Sequence, residues 1–528
     1  MSKARERYTQ LLTNRTQFLD TAVECSELTL PYLVQQDDNY KGKRTLIQPY
    51  QSVGAKAVVT LAAKLMLAIL PPQSAFFKLQ VRDDQLGEQM DQSMRSELDL
   101  SFSKIERLIM DYIAASSDRV VVHQALKHLI VSGNALIFMS KEGLKHYPLQ
   151  RYVVNRDGNG NVVEIVTKEL INREILGLES PKPPEQPVNG DYGSTEDDAE
   201  VYTYVRMDEN SGRWLWHQEA DDQILEGTRS TAPKGTSPWL VLRFNTVDGE
   251  DYGRGRVEEF LGDLRSLDGL SQALVEGASV ASKVVFLVSP SATTKPGTLA
   301  KAGNGAIIQG RPEDVGVVQV GKTADFSTAA NLASQIERRI LEAFLVMNVR
   351  NAERVTAEEV RLTQLELEKS LGGLFSLLTV EFLVPYLNRT LLILQRSNQI
   401  PNLPKNLVRP KIVAGINSLG RGQDNEALTR FIQTVAQTLG PEALMKYIDP
   451  TEAIKRLAAA QGIDVLNLVR TGQQLEQMKE QQTQEMQSKS LLDQAGQLAG
   501  TPLMDPSKNP DIAEQAAGVL GNLTQPPQ

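Results

Sequence analysis

The stretch from Arg256 to Val285 constrains this chain more than any other. Phe260, Leu264, Leu267, Leu270 and Leu274 recur at helical spacing through it. At 1.5 Å per residue it makes a rod about 45 Å long. Its later part is crowded with Gly269, Ser271, Ala273, Gly277, Ala278, Ser279, Ala281 and Ser282. A glycine inside a helix costs up to about 1 kcal/mol against alanine. Repeated small residues therefore need a reason, and close approach of neighbouring helices is one. A small β unit follows, with runs at Val284–Val288, Ala306–Ile308 and Val315–Val320. A second helix is expected over Ser327–Met347, then a polar stretch, Asn348–Arg354.

The rest of the chain is arranged around this unit. Residues 1–150 read as mostly helical: Ala55 to Leu70 is rich in helix formers and stops at Pro71-Pro72. Ser101–Ala115 and Arg119–Val131 carry apolar residues at spacings of three and four. β-Branched runs then take over at Ala135–Met139, Tyr152–Val154 and Val162–Val166, the last two separated by the turn Asp157-Gly-Asn-Gly-Asn161. A Pro-, Gly- and acid-rich loop is expected at 178–200, and strands resume at Val201–Val205, Trp214–His217 and Trp239–Phe244. Thr356-Ala-Glu-Glu359 reads as a capping box opening a helix that runs past Leu371, Leu378 and Phe382 to Pro385, where a kink is expected. A strand at Lys411–Ala414 and further helices to about Leu492 complete the pattern, and the proline-punctuated end reads as flexible. The fold class is α+β, predominantly helical.

Chemistry is hard to find. No G-x-x-x-x-G-K-S/T loop is present, which argues against an ATPase motor. His123, His128, His146 and His217 match no metal pattern, and the first two sit five apart, off a common helix face. Asp157–Asn161 is like a calcium loop only superficially: Val162 stands where the turn glycine belongs and Lys168 where the bidentate Glu belongs. Gly253-Arg-Gly255 reads as a chain bend entering the long helix, with a phosphate nest as the sharper alternative. No catalytic residue, cofactor or metal is expected. Cys25 is the single cysteine, so a disulfide framework is excluded and a reducing compartment fits. The start, MSKARERYTQ, has no apolar run behind it, and Ala57–Pro72 is interrupted by Lys64, so neither a secretory signal nor a membrane span is expected. The net charge is −9, against the basic surface that gripping duplex DNA requires. An acidic wall instead lets a polyanion slide past without sticking.

Several stretches together resemble the portal, or head-to-tail connector, proteins of the Teseptimavirus-like short-tailed phages. They are Leu61-Ala-Ala-Lys-Leu-Met-Leu-Ala-Ile-Leu-Pro71, Tyr252-Gly-Arg-Gly-Arg-Val-Glu-Glu-Phe-Leu-Gly-Asp-Leu-Arg-Ser-Leu-Asp268, Gly310-Arg-Pro-Glu-Asp314, Glu353-Arg-Val-Thr-Ala-Glu-Glu359 and Gly420-Arg-Gly-Gln-Asp424. They occur in the family's order and cover residues 8 to 465, while the loop at 178–200 and the tail beyond 470 depart from it.

The resemblance implies a closed ring, a dodecamer in this family, at one capsid vertex: the gate through which double-stranded DNA enters and leaves. It implies a wing (1–255), a first stem helix (256–285), a clip (286–325) and a second stem helix (326–346). A tunnel loop (347–356), a long wing helix with its return strand (357–418), a helical crown (419–490) and a flexible tail (491–528) would follow. Gly269, Ala273, Gly277, Ala278 and Ala281 would then let identical helices pack side by side. Lys295, Lys301, Arg311 and Asp314 are the clip's candidates for docking the terminase large subunit and later the tail adaptor, with solvated loop charge as the plainer reading. Arg350, Asn351 and Arg354 would face the DNA; the two arginines either form rings of charge that brake it or pair with Glu353 or Glu358 of a neighbouring subunit. The implied partners are further copies of the chain, major capsid and scaffold proteins, internal core proteins, and DNA held without sequence specificity. The implied location is the virion vertex, after synthesis in the host bacterial cytoplasm. A packaging ATPase or nuclease, and an internal scaffold or core protein, are the competing readings.

Overall fold

The computed structural model describes residues 3–36, 46–72, 75–81, 92–140, 142–178, 198–281, 285–303, 307–318, 323–346, 371–401, 408–412, 429 and 431–438. The chain divides into two compact units, Met1–Ser418 and Leu419–Gln528. In the second unit the described part is a short helix, 431–438, with Phe431 exposed.

In chain order the first unit begins with helices α1 (Lys3–Glu27) and α2 (Val53–Ile69), strand β1 (Phe77–Val81), and helices α3 (Gln92–Ala115) and α4 (Asp118–Ser132). Strands β2 (Asn134–Met139), β3 (Leu144–Tyr147), β4 (Tyr152–Arg156) and β5 (Val162–Asn172) follow, then a one-turn helix α5 (Arg173–Leu176). β6 (Asp198–Asp208), β7 (Arg213–Ala220), β8 (Gln223–Ile224), β9 (Ser230–Pro233) and β10 (Trp239–Arg243) close the sheet region. Next come α6 (Arg256–Glu259), α7 (Leu261–Ala281), β11 (Val285–Val288), α8 (Pro296–Lys301), β12 (Val315–Val318) and α9 (Thr323–Ala343). Last are a helix α10 (Leu371–Arg396) and strand β13 (Val408–Ile412).

All pairings are antiparallel. The largest sheet runs β4-β5-β6-β7-β8, with β9 also on β7; a second runs β10-β2-β3; β1 pairs with β13, and β11 with β12. α2 is apolar nearly all round because it lies in the middle of the core: Ala57, Val58, Leu61, Ala62, Leu65, Met66 and Ile69 are all buried. α1, α4, the β10-β2-β3 sheet and α10 pack around it in one continuous cluster. α10 is apolar and long enough to cross a membrane by composition alone, yet Leu374, Leu378, Phe382, Tyr386, Leu387 and Leu394 are buried in this core.

Where α4 ends, three glycines bring two backbones together. Gly133 caps α4 in the left-handed conformation (φ +74°), and a Cβ there would fall 2.4 Å from the carbonyl carbon of Arg254. A Cβ on Gly253 would fall 2.7 Å from Gly133 O, and one on Gly255 2.6 Å from Val131 O. Asn134 clasps the crossing: its Nδ2 donates to Gly253 O (2.7 Å) and its Oδ1 accepts from Gly253 N–H (2.8 Å). Tyr252, fully buried, accepts the Val154 N–H at 3.1 Å, and Arg254 lies between Glu250 and Glu258. The glycine pair that opens the long helix is thus a packing device, as the chain-bend reading expects.

Several expected elements take a different form. The rod over Arg256–Val285 is broken at Phe260 (φ −114°), whose N–H turns back to Val257 O. It ends at Ala281, and Val285 opens β11 because its β-branched run pairs with Val318. The second helix ends at Ala343, four residues before Met347, where the chain turns through Leu345 at φ +57°. The expected strand at Ala306–Ile308 does not form over 307–308, and Ile307 is fully exposed. The acid-rich loop gives way to β6 at Asp198; residues 179–197 lie outside the described part. The kink expected at Pro385 is a π turn, Thr379–Leu383: the Val384 N–H reaches back to Thr379 O, which accommodates the proline's missing donor within a continuing helix. β1 and its pairing with Pro410-containing β13 have no counterpart in the expectations.

The crossing at α4 generates a direct test. Gly255→Ala is expected to destabilise the protein by about 1–3 kcal/mol, because carbonyl oxygens cannot move aside as a flexible side chain can. Gly158→Ala, at a hairpin tip with open space around it, is the neutral control. Equal thermal midpoints for the two variants would contradict the account.

Candidate functional site

The α7–α9 pair and the β unit at its far end stand on the α6 turn. Phe260 and Phe344 meet edge to face at 5.7 Å, joining the roots of the two helices. The exposed carbonyls at the end of α9 are capped by cations: Arg256 donates to Ala343 O at 3.2 Å and Lys64 of α2 donates to Leu345 O. On the other side Arg265 of α7 pairs with Glu24 of α1, and Asp268 accepts the Tyr50 N–H at 2.7 Å. Between the helices Asp263 and Arg339 form a two-pronged bridge (2.7 and 2.5 Å).

Burial fades along the pair. Leu264, Leu267, Ile336 and Ile340 are buried at its root. Among the described residues, none of α7 beyond Leu267 and none of α9 before Ile336 is buried. Val275 and Leu332 are exposed, and so are Gly269, Ala273 and Ala278. Gly269 has open space where a Cβ would stand, whereas a Cβ on Gly277 would fall 2.2 Å from the ring of Phe326 on α9. Gly277 therefore makes room for a neighbour within the same chain. Ala281 ends α7, and its side-chain surroundings lie outside the described part.

In the β unit, Val285–Val288 and Val315–Val318 pair residue for residue. Asp314 holds the loop between them. One of its carboxylate oxygens accepts from Thr293 N–H (2.9 Å) and Oγ1–H (2.8 Å) and from the Thr294 N–H and hydroxyl at 3.3 Å. The Asp314 backbone carbonyl accepts the Ser289 N–H at 3.0 Å. These bonds, that from the Thr293 hydroxyl first, pull the Asp314 carboxyl below its ordinary value. Thr294 is buried against Gly310, whose missing side chain makes its room. Lys295, Lys301 and Arg311 are exposed on the same unit. So Asp314 shapes the loop, while the three cations face outwards. Arg350, Asn351 and Arg354 lie outside the described residues.

Three pieces of this arrangement had no signal in the sequence reading: the Gly277–Phe326 contact, the Asp263–Arg339 bridge and the Asp314 loop clamp. Asp263 and Arg339 are far apart in sequence, and no local pattern joins them. Among the described residues no group of three or more His, Cys, Asp or Glu side chains is placed to hold a metal. Asp157–Asn161 is a hairpin turn: Asp157 Oδ1 accepts the Asn159 and Asn161 N–H groups at 2.9 and 2.7 Å.

Comparison with known proteins gives the context. The family model described as bacteriophage head to tail connecting protein matches residues 1–469. The portal protein of Escherichia phage T7 is 37% identical over 494 residues, covering 92% of this chain and 91% of its own. The portal protein of Enterobacteria phage T3 is 38% identical, covering 89% of each chain. The portal protein of Enterobacteria phage SP6 is 32% identical over 82% of this chain and 83% of its own. Among solved structures, a chain from the neck of an empty gene transfer agent particle aligns over 78% of this chain and 90% of its own. Its TM-score is 0.37 and its identity 11%.

The loop clamp is testable through its charge. The folded Asp314 carboxyl titrates below its free value, so the clamp is intact above the free carboxylate value of 3.8 and is lost as pH falls through the lower folded value. Hydrogen exchange at Thr293 and Thr294, corrected for intrinsic rates, is expected to quicken in that window. Asp314→Asn is expected to give the quicker exchange at neutral pH as well; wild-type protection in that variant would remove the clamp.

Proposed function

The chain belongs to the bacteriophage head-to-tail connecting protein family and is a podophage portal protein, and from that premise we propose how its parts form and work the DNA channel. Portal proteins are structural components of the virion at the capsid vertex. In our reading the α7–α9 pair is the stem of a closed ring, a dodecamer, and the β unit is the clip. The strand-rich N-terminal region and α10 are the wing, and the crown follows in residues 419–490.

One observation carries this reading. The stem helices bury their apolar residues only at the root, leaving Gly269, Ala273, Val275, Ala278 and Leu332 uncovered in the single chain. A two-helix rod that leaves so much of its surface bare is poorly supported alone. A ring of copies supplies the missing neighbours, and small residues let those neighbours come close. Gly269, with nothing near its missing Cβ, is where an adjacent stem would press closest. Gly277 serves the pairing within one chain.

The clip's exposed cations, Lys295, Lys301 and Arg311, would meet the terminase large subunit during filling and the tail adaptor afterwards. Asp314 would keep the loop that carries Lys295 in shape. Arg350 and Arg354, with Asn351, would line the narrowest part of the channel. Repeated around a ring they would place positive charge at one level of a passage through a protein of net charge −9. DNA would slide where repelled and be held where the arginines meet phosphate. Capsid, scaffold and internal core proteins would contact the wing and crown. The ATPase reading has no phosphate loop to support it, and the scaffold reading leaves a β unit between two helices without a purpose.

Electron microscopy of the purified chain with rotational symmetry analysis is expected to give closed rings with a central hole. The double variant Gly269→Leu/Ala273→Leu is expected to fold, with an unchanged helical spectrum, and to leave single chains or open arcs. Normal rings from that variant would sink the stem-packing account. Arg350→Ala/Arg354→Ala is expected to form rings and package DNA but to retain less of the genome. Unchanged retention would discard the brake and favour pairing with Glu353 or Glu358.

A further inference from the structure

A cavity of about 680 Å³ opens in the N-terminal region between the segment that follows α1, helices α2 and α4, β3 and the β3–β4 connection. Its α4 wall is a stripe at i, i+4 and i+8, Arg119, His123 and Lys127, with Val120 and Gln124 beside it. Arg151 stands on the β3–β4 connection, with Pro148 and Gln150 next to it. Tyr32, Leu33 and Met66 supply an apolar side. His128 and His146 complete the lining, their rings 4.4 Å apart. Three Lys or Arg side chains and three imidazoles therefore line the space, and no Asp or Glu does.

Nothing described neutralises that charge. Among the described residues no ion pair engages Arg119, Lys127 or Arg151. Arg119 is held in place by its bond to Leu70 O at 2.6 Å, which leaves its guanidinium further donors. Two lining side chains are more than nine-tenths buried and carry a polar atom with no partner: His128 Nδ1 (residue 3% exposed) and Gln150 Oε1 (7% exposed). His146 Nε2 is likewise without a partner. These three atoms are themselves closed off from solvent, so they lie behind the cavity wall and the binding surface is that of the cations. Burial drives His128 down to about 4 and His146 well below its ordinary value. Both are thus neutral near pH 7, each able to donate one hydrogen bond and accept another. The positive field of the cavity is that of Arg119, Lys127 and Arg151.

We propose that this cavity binds a small phosphate-bearing anion. Cations contributed by two elements, α4 and the β3–β4 connection, suit a multiply charged group better than a single carboxylate, and the arginine fork matches phosphate oxygens in pairs. The volume lies within the roughly 300–1,000 Å³ of small-molecule sites. Free phosphate or pyrophosphate is one source of this chemistry. A nucleotide, whose base would lie on the Tyr32–Met66 side, is the other.

The test is calorimetric titration of the full chain with inorganic phosphate, pyrophosphate and ATP, repeated on Lys127→Glu/Arg151→Glu. Saturable binding of at least one probe is expected, weakened about tenfold or more by the double reversal. The thermal midpoint and ring formation should stay unchanged. ATP tighter than pyrophosphate by about tenfold would assign the nucleotide source, and equal binding the free phosphate source. Should the double reversal fail to fold, Lys127→Gln and Arg151→Gln singly serve the same comparison. No binding of any probe in the millimolar range, or binding indifferent to these substitutions, overturns the proposal.

Discussion

The chain enters α6 and α7 through one close crossing of two backbones. At Gly133, Gly253 and Gly255 the end of α4 and the start of α6 lie nearer than any side chain would permit. Asn134 bonds both faces of the Gly253 peptide, so the crossing is held by hydrogen bonds as well as by shape. Backbone contact of this kind is stiff, since neither partner has a rotamer to change. The direction of α7 follows from it, and with α7 the position of the β unit. Phe260 against Phe344 extends the same rigidity to α9.

A second constraint ties α10 to the sheets. Its π turn carries Glu381, whose carboxylate accepts from the Arg243 backbone N–H (2.8 Å) and guanidinium (2.7 and 2.9 Å). Arg156 lies 3.7 Å from the same carboxylate and also donates to Gly160 O (2.9 Å) and Asp251 O (3.0 Å). Burial lowers Arg156 to about 10, with Glu381 opposing that fall. Breaking a buried pair of this kind costs about 3–5 kcal/mol, because the surviving charge loses its partner. The helix that follows residues 357–370 is therefore locked in register at its π turn.

Much of this architecture was legible in advance, and the legible parts share a cause. α2 and α4 announce themselves because their apolar spacing and their Pro or Gly stops are local. Val162–Val166 and Trp214–His217 do so because β-branched and aromatic runs between turn residues are local too. Membership of the family, carried by short stretches in fixed order, was readable for the same reason. Ile307 marks the limit: a three-residue apolar run near two real strands looks like a third, yet its described residues, 307–308, form no strand and Ile307 remains exposed. β1 marks the opposite limit, since Phe77–Val81 becomes a strand only by pairing with β13, more than three hundred residues later. Its partner was expected as a strand at Lys411–Ala414 and forms over Val408–Ile412, with Pro410 inside it and residues 413–414 outside the described part.

What the sequence determined by itself is therefore the succession of elements, the acidic balance, the lack of a phosphate loop and the small-residue helix. These depend on neighbours along the chain. Only the tertiary structure decided what each small residue is for. Gly277 meets Phe326 inside the chain, Gly269 is left open, and Gly253 and Gly255 serve a backbone crossing. It alone brought Arg119, His123, Lys127 and Arg151 to one cavity, with the neutral His128–His146 pair among its lining. The reason is physical: a glycine's purpose and a cation's partner are set by what lies across the fold, and that distance is not written in sequence spacing.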